Sequence, residues 1–144
     1  MAKALIVYAS RTNKTKKIAD FIAEGLKEKG VDVTVKRVNE IKNEADLQGY
    51  DAIVLGSATY HGQMMQPMQT MLFLAEKANL EGKVGGAFGA FGWSGEAPQR
   101  IFDTMKNIFN MDMVSGPLRI KTAAVAGSAG KAKEYADEIV AKLS

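Results

Sequence analysis

Apolar and polar positions along the chain follow two alternating regimes. Lys3 to Ala9 (KALIVYA) is a continuous apolar run with Ile and Val, bounded by polar residues. Such a run fits a strand buried on both faces of a parallel sheet. From Thr15 to Gly30, Ile18, Phe21, Ile22, Gly25 and Leu26 recur at helical spacing. Lys16, Lys17, Asp20, Glu24, Lys27 and Glu28 lie largely off that stripe, and Gly30 is a helix stop. Val31, Val33, Val35 and Val38 then mark a second, mostly alternating strand, and Tyr50 to Gly56 (YDAIVLG) a third. The spacing predicts a helix over Met68 to Ala78, with Pro67 permitted at its start. Lys83 to Phe91 (KVGGAFGAF) reads as a glycine-rich fourth strand that neighbouring backbone or a ligand can approach closely. A helix over Pro98 to Phe109 is expected to face Ile101, Met105, Ile108 and Phe109 inward. A fifth strand falls within Met113 to Ala126, and Ala132, Tyr135, Ala136, Ile139, Val140 and Leu143 define a last helix.

Strands and helices alternate without a linker, repeat or composition break, so residues 1–144 read as a single domain. The expected architecture is an α/β three-layer sandwich around a five-stranded, mostly parallel sheet. Right-handed crossovers place the strand-to-helix loops on one edge, where ligands bind at the topological switch point. Function is therefore sought in the loops after strands one, three and four.

Composition narrows the chemistry. The chain has 144 residues, 47% of them hydrophobic, enough for one sizeable core. It has no cysteine and one histidine, which excludes disulfides, thiol catalysis, zinc fingers and iron–sulfur ligation. No apolar stretch is long enough to span a membrane, and the MAKALIVYAS terminus lacks the features of a signal peptide. The expectation is a soluble, cytoplasmic protein. Nineteen basic against sixteen acidic residues give a net charge of +3. That is too mild for a dedicated nucleic-acid binder and compatible with an acidic partner.

The loop after strand one reads Ser10-Arg11-Thr12-Asn13-Lys14-Thr15. Three hydroxyls and an amide before a helix suit an anion such as a phosphate, because helix N-termini present unpaired N–H groups. Plain N-capping is the alternative. Neither a Walker A loop nor a GxGxxG fingerprint is present. The second loop carries Ser57-Ala58-Thr59-Tyr60-His61-Gly62, and the third Phe91-Gly92-Trp93-Ser94-Gly95-Glu96. Tyr60 and Trp93 are either ordinary packing or the two walls around a planar ring. With the anion loop they describe a phosphate-bearing, planar aromatic ligand.

These residues resemble the flavodoxins, and especially the flavodoxin-like domain of flavodiiron proteins. Ser10 to Thr15 is similar to the (Ser/Thr)-x-Thr-Gly-Asn-Thr loop of flavodoxins, GSATYHG occupies the second flavin loop, and AFGAFGWSGEAPQRI is the most specific match. The resemblance covers essentially the whole chain and implies strand order 2-1-3-4-5 with non-covalent FMN. Ser10, Thr12, Asn13 and Thr15 are then expected to hold the phosphate, with Arg11 and Lys14 adding charge. Ala58, Thr59, Tyr60, His61 and Gly62 are expected on one side of the isoalloxazine, and Phe91, Gly92, Trp93, Ser94 and Gly95 on the other. The resemblance is to that domain alone, so the oxygen or nitric oxide reduction of the diiron enzymes is not expected from it.

The chain departs from the family pattern in being basic, with Arg11 and Lys14 in the phosphate loop, and in having His61 where many flavodoxins have glycine. In the family a peptide flip there stabilises the neutral semiquinone. A non-glycine residue pays for the positive φ unless Gly62 absorbs the turn, so a semiquinone is expected to form, and His61 otherwise reads as an exposed loop residue. Met64, Met65 and Met68 are either core filler or an adaptable rim for a partner. The leading functional expectation is a monomeric, low-potential electron carrier between redox proteins, with no catalytic residues and no metal. The alternative is an FMN-dependent NAD(P)H or quinone reductase. A response-regulator role is disfavoured, because strand three ends Gly56-Ser57-Ala58 while Asp51 lies at its start.

Overall fold

A computed structural model describes residues 2–10, 13–60, 63–92 and 95–143, with Tyr60 described in its backbone alone. The strands are β1 (Lys3–Ala9), β2 (Asp32–Arg37), β3 (Ala52–Ser57), β4 (Thr59–Tyr60), β5 (Gln63–Met64), β6 (Val84–Phe91), β7 (Asp112–Met113) and β8 (Leu118–Lys121). The helices are α1 (Asn13–Glu28), α2 (Gln66–Glu76), α3 (Glu96–Asn107) and α4 (Ala129–Leu143).

The main sheet runs β2-β1-β3-β6, all parallel, and β7 and β8 both pair with the outer side of β6. The 2-1-3-4-5 order holds once β6 is counted fourth, but the fifth strand is in two pieces. β7 pairs with Val84 and Gly85, and β8 with Phe88 to Phe91. In the gap between them the Tyr135 hydroxyl of α4 accepts from the Ala87 N–H at 3.0 Å and lies 3.0 Å from the Ala87 carbonyl. It also reaches the Gly116 carbonyl at 2.8 Å, so a side chain serves the backbone groups that a continuous strand would pair. After β8, Thr122–Gly127 is a 3-10 helix.

Every β1 residue from Ala4 to Ala9 and all of β3 are buried, the double-sided burial that their unbroken apolar runs require. Successive β6 residues point to opposite faces. A Cβ on Gly85 would meet Met105 of α3 at 3.1 Å, and one on Gly86 would meet Tyr135 of α4 at 3.1 Å, so these helices cover opposite sides of the sheet. α1 packs beside α4, where Gly25 lets the helices close; a Cβ there would lie 2.8 Å from that of Ala136. α2 shares a groove with α3 on the other side.

The β6 glycines are explained by internal packing. A Cβ on Gly89 would collide with the Ser57 carbonyl oxygen, and the Phe88 ring lies across its register partner Gly56. Helix α3 ends at Asn107, so Ile108 leaves the helical period and is 57% exposed rather than inward, while Phe109 turns in and is buried. Met64 and Met68 are core residues; Met65 is half-buried.

Candidate functional site

β1, β3 and β6 run parallel, so their carboxyl ends, at Ala9, Ser57 and Phe91, bring the three loops singled out in the sequence to one edge. The backbone of Ala58 joins this edge by donating to the Ala9 carbonyl at 3.4 Å. Asp51, by contrast, sits at the opposite edge and accepts from the Lys3 N–H at 2.9 Å.

At the first loop, α1 begins at Asn13, which makes Thr15 the third residue of the helix. Thr15 is fully buried, and its hydroxyl is the one buried side-chain polar atom among the described residues with no hydrogen-bond partner. Hydroxyls buried in that way ordinarily find a partner, because an unpaired one costs about 1–3 kcal/mol. This one lies where the first-turn N–H groups of α1 are also without intrahelical partners. Asn13 and Lys14 are exposed beside it and Ser10 is half-buried. Arg11 and Thr12, the other residues expected in this loop, lie outside the described residues.

The second loop is a hairpin, with Thr59 opposite Met64 and Tyr60 opposite Gln63. Ser57, fully buried, closes its base by accepting from the Met65 N–H at 3.0 Å and donating to the Ala58 carbonyl at 2.9 Å. The Thr59 hydroxyl accepts from the Ala97 N–H at 3.0 Å, in the first turn of α3. His61, Gly62 and the side chain of Tyr60 lie outside the described residues. In the third loop, Phe91 is half-buried, Gly92 is exposed with open space around it, and Gly95 is half-buried before α3. Trp93 and Ser94 lie outside the described residues.

Two residues not singled out in the sequence flank these loops. Arg37, at the end of β2, lines a cavity of about 150 Å³ with Ser10, Asn39 and Met65, its guanidinium 5.9 Å from the Tyr8 ring centroid. Arg119, in β8, runs its side chain over Gly95, where a Cβ would meet its Cδ at 3.2 Å. It lines a second cavity, of about 400 Å³, with Glu96, Gln99 and Arg100. Parallel strands end on one edge, so the terminal residue of β2 could have been found from the sequence; Arg119 could not, because the break hides the register of β8. Lys16 on α1 pairs with Asp20 at 2.9 Å, and that carboxylate raises its pKa through the hydrogen bond and then the charge.

A flavodoxin-domain family model matches residues 5–124. The chain belongs to the flavodoxin family. A solved structure described as a flavodoxin from the domain Archaea superposes with a TM-score of 0.83 at 32% identity, covering 95% of this chain and 98% of its own. Rubredoxin-oxygen oxidoreductase of Megalodesulfovibrio gigas is 26% identical over 98% of this chain, which spans only 36% of that protein. NAD(P)H dehydrogenase (quinone) of Methylocella silvestris is 31% identical over 79% of this chain and 69% of its own length. The cofactor of the flavodoxin family is FMN, and the chain is an FMN-binding redox protein by that membership. The residues present fit such a group: an orphaned, fully buried hydroxyl stands at a helix N-terminus on the sheet's ligand edge.

Proposed function

We propose that this chain is a cytoplasmic, monomeric electron carrier that holds FMN at the carboxyl edge of its sheet and exchanges electrons with other redox proteins. The unpartnered Thr15 hydroxyl carries the reading, since a phosphate oxygen is the acceptor that its position calls for. In this reading Ser10, Thr12, Asn13 and Thr15 hold the phosphate and Arg11 and Lys14 lend charge. Ala58 to Gly62 and Phe91 to Gly95 bracket the ring, with Tyr60 and Trp93 as its walls. FMN supplies the redox chemistry; the protein supplies binding, orientation and the local field. Among the described residues no cluster of His, Asp or Glu could hold a metal ion, and no helix is long and apolar enough to cross a membrane.

The partners of this carrier present acidic surfaces. Arg37 flanks the first and second loops, Arg100 and Arg119 flank the third, and Lys121 ends β8; all four are exposed. A second reading, an NAD(P)H-dependent quinone reductase, is favoured by the 31% identity to the Methylocella silvestris dehydrogenase. Mixing the FMN-loaded protein anaerobically with NADH or NADPH separates the two. The carrier stays oxidised with either nucleotide; rapid bleaching of the flavin, followed by quinone-dependent turnover, establishes the reductase instead.

A further inference from the structure

Among the described residues, helix α3 takes its cap from another part of the chain. Its N-cap residue, Gly95, makes no side-chain cap hydrogen bond, and any side chain there would press on Arg119 and Phe91, each 3.2 Å from the Cβ position. N-caps normally come from the residue that opens the helix. Here the acceptor for the Ala97 N–H is the hydroxyl of Thr59, 38 positions earlier in the chain and in a different loop. Thr59 is itself held in the hairpin opposite Met64, and Ser57 closes that hairpin at Met65. The third loop ends in Gly95, directly before the helix that Thr59 caps. One hydrogen bond therefore ties the second loop to the third.

We propose that Thr59 is a positioning residue: its hydroxyl clamps the hairpin to the N-terminus of α3 and so fixes the gap between the two loops that bracket the flavin. This rests on the reading of those loops as the flavin walls. Thr59 then contributes to affinity through the loop spacing rather than by contacting the ring. A cap that served α3 alone would stabilise the fold and leave cofactor affinity untouched; a clamp changes both.

The test compares Thr59→Val, which keeps the shape and removes the acceptor, with Thr59→Ser, which keeps the hydroxyl. FMN affinity is read from quenching of flavin fluorescence, and the geometry of the bound ring from visible circular dichroism. Both are measured at a temperature where far-ultraviolet circular dichroism shows each apoprotein fully folded. The clamp predicts that Thr59→Val weakens FMN binding roughly tenfold and alters the visible dichroism, and that Thr59→Ser restores both. Unchanged affinity in Thr59→Val with a lowered thermal midpoint reduces Thr59 to a helix cap and overturns the inference. Failure of Thr59→Ser to rescue also overturns it, assigning the effect to the methyl group. If the unsubstituted protein binds no FMN, the reading of the loops fails and this inference falls with it.

Discussion

Thr15 and Tyr135 are both buried hydroxyls, and their opposite circumstances separate function from structure. The Tyr135 oxygen has three backbone partners, at Ala87 N, Ala87 O and Gly116 O, whereas the Thr15 oxygen has none. Among the described residues, Ser57 and Ser128 are also buried and satisfied, Ser128 by donating to the Val125 carbonyl at 2.7 Å. A requirement met at these hydroxyls and unmet at one helix start, among the described residues, marks that start as a place for a ligand. Burial raises the Tyr135 pKa above the ordinary phenol range, chiefly by desolvation, so the folded state holds the neutral form. Its contribution to stability is thus fully present below the unfolded phenol pKa of about 10 and is lost as pH rises beyond it. Tyr135→Phe leaves the Ala87 N–H buried without a partner. It is expected to cost about 1–3 kcal/mol in urea denaturation at neutral pH and to flatten the alkaline fall in stability. An unchanged midpoint contradicts this role for the hydroxyl.

The elements differ in how plainly the sequence announced them, for physical reasons. β1 and β3 are legible because strands buried on both faces must be apolar throughout, and LIVYA and AIVLG satisfy that condition. α1 is legible from its stripe and from Gly30, whose φ of +84° is the left-handed stop the pattern required. The fifth strand is not, since its two pieces are aligned by a hydroxyl on α4, a tertiary contact that periodicity along the strand does not encode. The error at Ile108 has a similar cause: the apolar spacing continues one residue past the point where α3 ends. At the site, the three loops could be found from strand order alone, and the hydroxyls of the first loop from residue type. The bonds of Ser57 and Thr59 could not, because each depends on how one loop meets another backbone in space.

For the molecule as a whole, charge and chain direction act together. The net charge of +3 is modest, yet Arg37 and Lys121 at strand ends, Arg119 within β8 and Arg100 on the first turns of α3 are exposed beside the loops. Electron transfer to a negatively charged acceptor such as ferricyanide is therefore expected to slow as ionic strength rises. Charge reversal of Arg119 and Lys121 should flatten that dependence, and salt-insensitive transfer in stopped-flow measurements contradicts a positively charged flavin edge. Beneath this lies the claim that Thr15 is built for a phosphate, and Thr15→Val tests it most directly. Removing an orphaned hydroxyl relieves the apoprotein and deprives the ligand of a donor. The account predicts that Thr15→Val raises apoprotein stability by about 1 kcal/mol and weakens FMN binding about tenfold or more. Equal FMN affinity in the two proteins, or a less stable apoprotein with affinity intact, contradicts it.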